Sequence, residues 1–256
     1  MKRADKTSRN KRSAQARRAA LGCQRTELSR IGYTSLFTVG GKSALCFVSG
    51  VTIDADGSPH AYHPLDANGH DTLGLDYLAN AGHPAHNGHP AKWWALVTDS
   101  GLASGRPVVQ GKSDPAPGFY ISTTALVDPA KTRTDPARYV NAETVPFIVL
   151  AGGMGGGART GDFAVAVKLD TRVAIGAVCG DIGPAGQLGE GSIALANGLG
   201  IPANPKHGGV ADGVLYIVFP RSRAGWPLTL DAIQSAATRL FQTWGGMEQV
   251  AACFQS

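Results

Sequence analysis

Two carboxylic acids, Asp181 and Glu190, stand nine positions apart on either side of a loop rich in glycine and proline. An apolar run over 173–179 leads into the first acid, and a short helical pattern over 192–199 follows the second. A loop that curls back can hold two carboxyl groups apart with an open gap between them. Glycosidases need such a pair, because one acid protonates the leaving oxygen while the other carboxylate activates water or attacks the sugar. A turn residue and a helix cap are the structural alternative for the same two acids.

The sequence neighbours of the two acids predict opposite pKa shifts. Asp181 follows an apolar strand, so partial burial should raise the pKa of its carboxyl and keep it protonated. Glu190 precedes a helix start, where free N–H groups and the helix dipole favour a carboxylate. An acid and base pair is recognised by pKa values that are pushed apart. The sequence therefore assigns the general acid to Asp181 and the general base to Glu190.

The composition predicts a single β-rich domain preceded by a basic arm. Thirty-four glycines and few, short helical patterns in 256 residues indicate many strands and turns. We expect a mainly β fold with a few flanking helices over residues 31–256. Residues 1–30 hold ten of the 24 lysines and arginines, and we expect them to be a disordered arm. The rest of the chain is mildly acidic, which is compatible with a cationic substrate, and no nucleic-acid partner is expected.

Short apolar and β-branched runs mark the candidate strands. After a first group from Tyr33 to Val51, they read KWWALVTD, PGFYISTTALVD, ETVPFIVL, FAVAVKL, VAIGAVC and VLYIVFP. We expect FAVAVKL to pair with VAIGAVC, and the glycine-rich stretch over 151–162 to be a hairpin connection leading into FAVAVKL. An apolar stripe from Thr229 to Trp244 predicts a core-facing helix that stops at a glycine pair. No apolar run reaches the roughly 18 to 20 residues that span a membrane, so no membrane partner is expected.

Acidic and aromatic residues elsewhere in the chain are candidates for substrate contacts. The acids lie in turn-rich segments, where they can line a groove and, by charge alone, pair with cationic groups of a substrate. If KWWALVTD is a strand, its two tryptophans face opposite sides, so that one fills the core and the other can stack on a sugar ring. The predicted substrate-binding residues are Asp54, Asp56, Asp76, Tyr77 and Trp94.

No metal or organic cofactor is predicted. Asp54, Asp56 and Gly57 resemble the start of a calcium loop, but the later ligands and the terminal glutamate are missing. The four cysteines form no CxxC pair, which argues against a structural zinc site. One or two disulfides are possible, and the sequence does not assign which cysteines pair. Cys179, two residues before Asp181, is expected to be a small core residue.

Seven segments together resemble the fungal-type chitosanases of glycoside hydrolase family 75. In chain order they are IDADGSPHAYHP, GLDYLANAG, WWALVTD, PVVQGKSDPAPGFYISTTAL, RYVNAETVPFIVL, GDFAVAV and DIGPAGQLGEGSIALANGLGI. They extend over most of the chain from Ile53 to Ile201, and their specificity comes from their number and order.

The resemblance implies an endo-acting hydrolase that cleaves β-1,4-linked glucosamine polymers with inversion. It also implies that Asp181 and Glu190, in the DIGP and GEGS strings, are the catalytic pair, and that the substrate is chitosan. The DIGP string after a strand is similar to the acid-bearing turn of double-psi β-barrel enzymes, which implies a β-barrel and makes Asp181 the general acid. Members of the family are secreted, so an extracellular location is expected, although the basic arm lacks the apolar region of a signal peptide.

Two other functions remain open at this point. A hydrolase that cleaves peptidoglycan, such as an antibacterial effector, would use the same pair of acids and is favoured by the basic arm, because cell-wall polymers are anionic. A noncatalytic glycan-binding module would use Trp93 or Trp94 and leave the acids without a catalytic role. The oligomeric state is not predicted.

Overall fold

The computed structural model describes residues 23–68, 72–82 and 92–254, and its main element is a closed β-barrel. The strands are β1 (Arg25–Ile31), β2 (Thr34–Val39), β3 (Leu45–Asp54), β4 (Phe147–Ala151), β5 (Phe163–Lys168), β6 (Val173–Gly183), β7 (Glu190–Ser192) and β8 (Val210–Val218). They form one sheet in the order β1-β2-β3-β7-β4-β6-β5-β8. Because β8 also pairs with β3, the last six strands of this order close into a barrel. The expected mainly β fold with a barrel is confirmed.

The barrel contains both parallel and antiparallel strand pairs, and the parallel pairs determine which segments meet at the candidate site. Strand β3 runs parallel to β7, and β4 runs parallel to β6, whereas the other pairs are antiparallel. The antiparallel pairing of β5 with β6 confirms the expected partnership of FAVAVKL with VAIGAVC. Parallel neighbours need long connections, so segments distant in sequence end at the same rim of the barrel.

Two hydrophobic clusters lie on the two sides of the barrel wall. Along β5 and β8 successive residues alternate between them: Ala164 and Tyr216 join one cluster, while Val165 and Ile217 join the other. This alternation is the period of two that a strand buried on both faces shows. The wall is therefore covered on both faces, which leaves the strand ends as the place for polar side chains.

Three helices flank the barrel in the described residues: α1 (Ile193–Leu199), α2 (Leu230–Trp244) and α3 (Gly246–Phe254). The expected C-terminal helix is confirmed as α2, because Thr229 accepts a hydrogen bond from the N–H of Ala232 at its start and Gly245 ends it. Its apolar stripe, which includes Ile233 and Phe241, is buried against the barrel wall. No helix of the described segments has the length and apolar character that crossing a bilayer requires.

The basic arm is shorter than expected, because β1 starts at Arg25 and pairs with β2. A disulfide joins Cys23 to Cys253 at the end of α3, so residues 23–30 belong to the fold and not to a disordered tail. Residues 1–22 lie outside the described part of the chain. The remaining cysteines, Cys46 and Cys179, are free and buried, as expected for Cys179.

Three local predictions are wrong. KWWALVTD and PGFYISTTALVD are not strands but irregular segments joined by isolated bridges, such as the one between Leu96 and Ser122. The stretch over 151–162 is not a hairpin connection, because β6 lies between β4 and β5 in the sheet. The β-propensity of these residues favours an extended backbone, but an extended segment becomes a strand only when it forms successive hydrogen-bonded pairs with a neighbour.

Candidate active site

The candidate catalytic acids lie on two strands that are separated by a single strand. Glu190 opens β7 next to Thr52 of β3, while Asp181, near the end of β6, is in register with Val149 of β4. Strand β4 also pairs with β7, through Ile148. Since neighbouring strands lie about 4.8 Å apart, the backbones of β6 and β7 are roughly 9 to 10 Å apart. Barrel topology therefore brings the two acids to one rim, on either side of β4.

A cleft of about 550 Å³ opens at this rim. Five carboxylates line it, and so does the exposed face of one tryptophan; these residues are Asp54, Asp56, Asp76, Asp181, Glu190 and Trp94. Six of the seven sequence candidates are thus brought together. Tyr77 is not among the lining residues, because its ring lies against His207, 6.2 Å between centroids, and under the ammonium of Lys206, at 5.4 Å.

Two glycines position Glu190: Gly183, which ends β6, and Gly189, in the loop before β7. Gly189 has a φ of +94°, and a Cβ there would lie 2.4 Å from Ser49 Oγ, so only glycine allows this close approach to β3. A Cβ on Gly183 would lie 3.1 Å from Val149 Cγ1 and 3.2 Å from Glu190 Oε2. The missing side chain at Gly183 therefore leaves the space that the Glu190 carboxyl occupies.

Asp181 is held by a bulge and by two backbone donors. Because Ile148 pairs with Cys179 and Val149 with Asp181, Gly180 is an extra residue on β6, and such bulges re-aim the side chains that follow. The Asp181 carboxylate accepts hydrogen bonds from the N–H groups of Ala125 and Ile182, both at 2.8 Å. Burial raises the pKa of Asp181 to about 6, and the two N–H donors oppose that rise.

Glu190 lies in a different environment from the one its sequence neighbours predict. Burial, and then the negative charges of Asp181 and Asp76, raise its pKa to about 7. Its carboxyl accepts no hydrogen bond from any residue that the structure describes, and the helix cap is Ser192, which accepts from Leu195 N–H. The predicted lowering of the pKa of Glu190 is therefore wrong: spatial neighbours on β6 and in the cleft outweigh the nearby helix.

Asp54 and Asp56 form the buried floor of the cleft. The pKa of each is raised well above its usual value, first by burial and next by the charge of a neighbouring aspartate. Asp56 accepts hydrogen bonds from the hydroxyls of Tyr62, at 2.8 Å, and Ser122, at 3.2 Å. Carboxylate oxygens of Asp54, Asp56 and Asp181 lie within 4.8 Å of one another, close enough to surround a single cation.

Asp76 and Trp94 form one wall of the cleft through a shared partner, Asn80. The side-chain amide of Asn80 donates to both carboxylate oxygens of Asp76, at 3.0 Å. The backbone carbonyl of Asn80 accepts from the indole N–H of Trp94, at 2.6 Å. The indole is thus fixed while 66% of the residue remains exposed. Trp93 is partly buried against the hydrophobic cluster that contains Ala164 and Tyr216, as expected for the second tryptophan.

Sequence reasoning missed Tyr62, Asn80 and Ser122 as members of the site. The first two line the cleft, and the third supports Asp56 from behind. All three lie within segments that carry the family resemblance, and their positions in those segments were the available signal. None of the described residues that line the cleft carries a positive charge.

No protein-family model matches the chain, and no curated protein is significantly similar to it.

Proposed function

We propose that this chain is an endo-acting, inverting glycoside hydrolase that cleaves β-1,4 linkages in chitosan, as the resemblance to glycoside hydrolase family 75 implies. The observation that carries the proposal is the placement of Asp181 and Glu190 on β6 and β7, across β4, in a cleft with three further carboxylates. Inverting enzymes hold their two carboxyls about 6.5–9.5 Å apart to admit a water, and retaining ones about 5 Å apart. Placement of the two acids on either side of β4, and not on adjacent strands, favours the wider separation and so supports inversion.

The pKa values favour Glu190 as the general acid and Asp181 as the general base, the reverse of the roles that the sequence neighbours assign. A general acid must hold a proton in the enzyme that binds substrate, and the pKa of Glu190, about 7, lies above that of Asp181, about 6. Asp181 also accepts two backbone N–H groups, which stabilise its carboxylate form. The proton that the pair shares is therefore favoured on Glu190, which accepts no hydrogen bond from the described residues and faces the negative charges of Asp181 and Asp76.

The reaction follows from these roles. Glu190 donates its proton to the glycosidic oxygen as the bond between that oxygen and C1 breaks. Asp181 accepts a proton from the water that attacks C1 on the opposite face of the sugar, so the new hydroxyl has inverted configuration. Solvent then returns a proton to Glu190 and removes one from Asp181. C1 is the only carbon whose bonds change, the other changes are proton transfers between oxygens, and no cofactor is required for them.

The charge of the cleft supports a cationic polymer as the substrate. Carboxylates gathered in one cleft repel one another, and proteins reduce this cost by raising their pKa values or by binding cations. Glucosamine units carry one ammonium each, and Asp54, Asp56 and Asp76 can bind these groups beside the catalytic pair. Trp94 offers an exposed, fixed ring on which a pyranose can stack. We propose these four residues as substrate-binding residues; Tyr77 would act only indirectly, through its position next to Asp76.

An extracellular location is part of the proposal. The Cys23–Cys253 disulfide supports it, because disulfides persist in oxidising compartments and are rare in the cytosol.

The test is the release of reducing ends from three polymers: chitosan, chitin and peptidoglycan. We expect activity on chitosan, first products of inverted anomeric configuration by NMR, and loss of about 10² to 10⁴ in rate in Glu190→Gln. Glu248→Gln, which removes an exposed carboxylate on α3, is the matched control and should retain full activity.

The other outcomes separate the alternatives. Activity on peptidoglycan alone would support the cell-wall hydrolase, whose anionic substrate fits this acidic cleft poorly. Binding of chitosan without release of reducing ends would support the glycan-binding module. Products of retained configuration would contradict the two-strand separation as the basis of the mechanism.

A further inference from the structure

A second cavity, of about 330 Å³, lies next to the catalytic cleft and shares a wall with it. Trp94 lines both cavities, so its exposed indole is the boundary between them. A polysaccharide that stacks on this ring in the cleft would continue across it into the second cavity. The two cavities are therefore placed as successive parts of one binding track.

The outer wall of the second cavity is an ordered loop that presents an apolar side chain to solvent. Leu102 is 65% exposed, yet its carbonyl accepts hydrogen bonds from Thr98 Oγ1, at 2.8 Å, and from Gly105 N–H, at 2.9 Å. The carbonyl of Ala103 accepts from the N–H of Trp93, at 2.8 Å, which ties the loop to the tryptophan pair. An exposed leucine on a loop fixed in this way can contact a ligand in the cavity without a rearrangement of the loop.

The second cavity has the opposite charge character from the catalytic cleft. Among the described residues that line it there is no carboxylate, and one side chain, Arg133, carries a positive charge. The guanidinium donates to the backbone carbonyl of Asp99, at 3.3 Å, which places the arginine against the loop while its other N–H groups can serve a ligand. Such a cavity repels a glucosamine ammonium and suits a neutral sugar with a carbonyl acceptor.

We propose that this second cavity is a subsite for an N-acetylglucosamine unit of partially acetylated chitosan. Arg133 donates to the acetamide carbonyl, Leu102 contacts the acetamide methyl, and Trp94 stacks on the sugar face. The proposal rests on the proposed function, since it extends the binding track of the same polymer. It makes the enzyme selective for chains in which an acetylated unit follows the glucosamine units bound at the acidic cleft.

The test compares Arg133→Gln with Arg106→Gln on two substrates. Arg106 is exposed on the same loop region but lines neither cavity, so its variant removes an equal charge nearby. The measured quantity is the ratio of kcat/KM on partially acetylated chitosan to kcat/KM on fully deacetylated chitosan. We expect Arg133→Gln to lower this ratio about tenfold, since one charge-assisted hydrogen bond contributes that much, and Arg106→Gln to leave it unchanged.

A binding measurement keeps the subsite testable apart from catalysis. In the Glu190→Gln background, titration with an N-acetylglucosamine tetramer should quench tryptophan fluorescence, with a Kd about tenfold weaker when Arg133→Gln is added. Leu102→Ser should weaken the same Kd. Equal behaviour of the Arg133 and Arg106 variants in both assays would overturn the subsite. Absence of cleavage of any chitosan by the wild type, with this Kd difference intact, would instead overturn the proposed function and leave the subsite standing.

Discussion

In the proposed mechanism, Glu190 and Asp181 have the same side-chain chemistry but take two roles that their surroundings decide. Both are largely removed from water, which raises the pKa of each. They differ in what offsets that rise, because Asp181 has two backbone N–H donors while Glu190 faces the charges of Asp181 and Asp76. Donors stabilise a carboxylate and nearby negative charges destabilise it. The pair is therefore ordered as acid and base by hydrogen bonding and repulsion.

The assigned roles predict distinct rescue patterns for the two isosteric variants. Asp181→Asn removes the base, so azide should restore part of its activity by attacking C1 in place of water. Glu190→Gln removes the proton donor, so it should recover most on a substrate whose leaving group needs no proton. The measurement is kcat for both variants on chitosan and on an activated glycoside, with and without azide. Rescue patterns exchanged between the variants would keep the pair and reverse the roles.

The pH dependence of kcat/KM is a second prediction for the pair. Activity requires Asp181 ionised and Glu190 protonated, so it should rise as pH passes about 6 and fall as pH passes about 7. On the activated glycoside, Glu190→Gln should keep the rise and lose the fall, because the group that loses its proton near pH 7 is gone. A falling limb that persists in this variant would assign the higher pKa to another group.

At the scale of elements, the connection between β6 and β7 positions the two proposed catalytic acids through glycines, which carry no side chain. It returns from the end of one strand to the start of the other with two glycines, Gly183 and Gly189, in contact with other parts of the rim. The first leaves space beside Val149 for the Glu190 carboxyl, and the second approaches β3 closely. A third glycine, Gly186, has open space around it.

This contrast gives a matched pair of substitutions. Gly183→Ala should displace the Glu190 carboxyl by a few tenths of an ångström and lower kcat about tenfold, because small misplacements of a catalytic group reduce rate steeply. Gly186→Ala, whose Cβ would meet no atom within 4 Å, should leave kcat unchanged. Both variants should melt near the wild-type temperature. Equal kcat values for the two would show that Gly183 has no positioning role.

At the scale of the whole molecule, a disulfide connects the two ends of the described chain. Cys23 precedes β1 at the edge of the sheet, and Cys253 lies in the last turn of α3, 230 positions later. Arg25 adds to the same junction, since its guanidinium donates to the Cys253 carbonyl at 3.0 Å and lies over the Phe37 and Phe254 rings. The junction ties the outer hairpin of β1 and β2 to the helical layer.

Removing the disulfide should destabilise the fold. A crosslink that closes so long a loop constrains the unfolded chain, and loss of a native disulfide typically costs about 2–5 kcal/mol. We expect Cys23→Ser to lower the unfolding midpoint in urea and to steepen the transition, because the unfolded chain without the crosslink exposes more surface. Reduction of the wild type with dithiothreitol should have the same effect. A midpoint equal to that of the oxidised wild type would show that the crosslink does not contribute to stability.

The sequence by itself determined the features that depend on local pattern. The C-terminal helix, with its cap at Thr229 and its stop at Gly245, was predictable because a helix is encoded by a period and two end signals within one segment. The strands FAVAVKL and VAIGAVC were predictable as a pair because they are adjacent in the chain. The acids of the cleft were found as candidates because acids in turns beside strands can line a groove.

Only the tertiary structure determines which segments meet at the cleft and which surroundings shift the pKa of each acid. Trp94 reaches the cleft from an irregular segment whose residues favour a strand. Tyr62 joins it from a loop and Asn80 from a short 3-10 helix, Leu78–Ala81, and neither segment has a chemical signature of its own. Glu190 lies close to a helix start in sequence, yet its pKa is raised by burial and by Asp181 and Asp76. The reason is physical, because burial and Coulomb repulsion depend on distances in space. Those distances are set by the pairing of strands that are far apart in the chain. No local sequence pattern encodes that pairing.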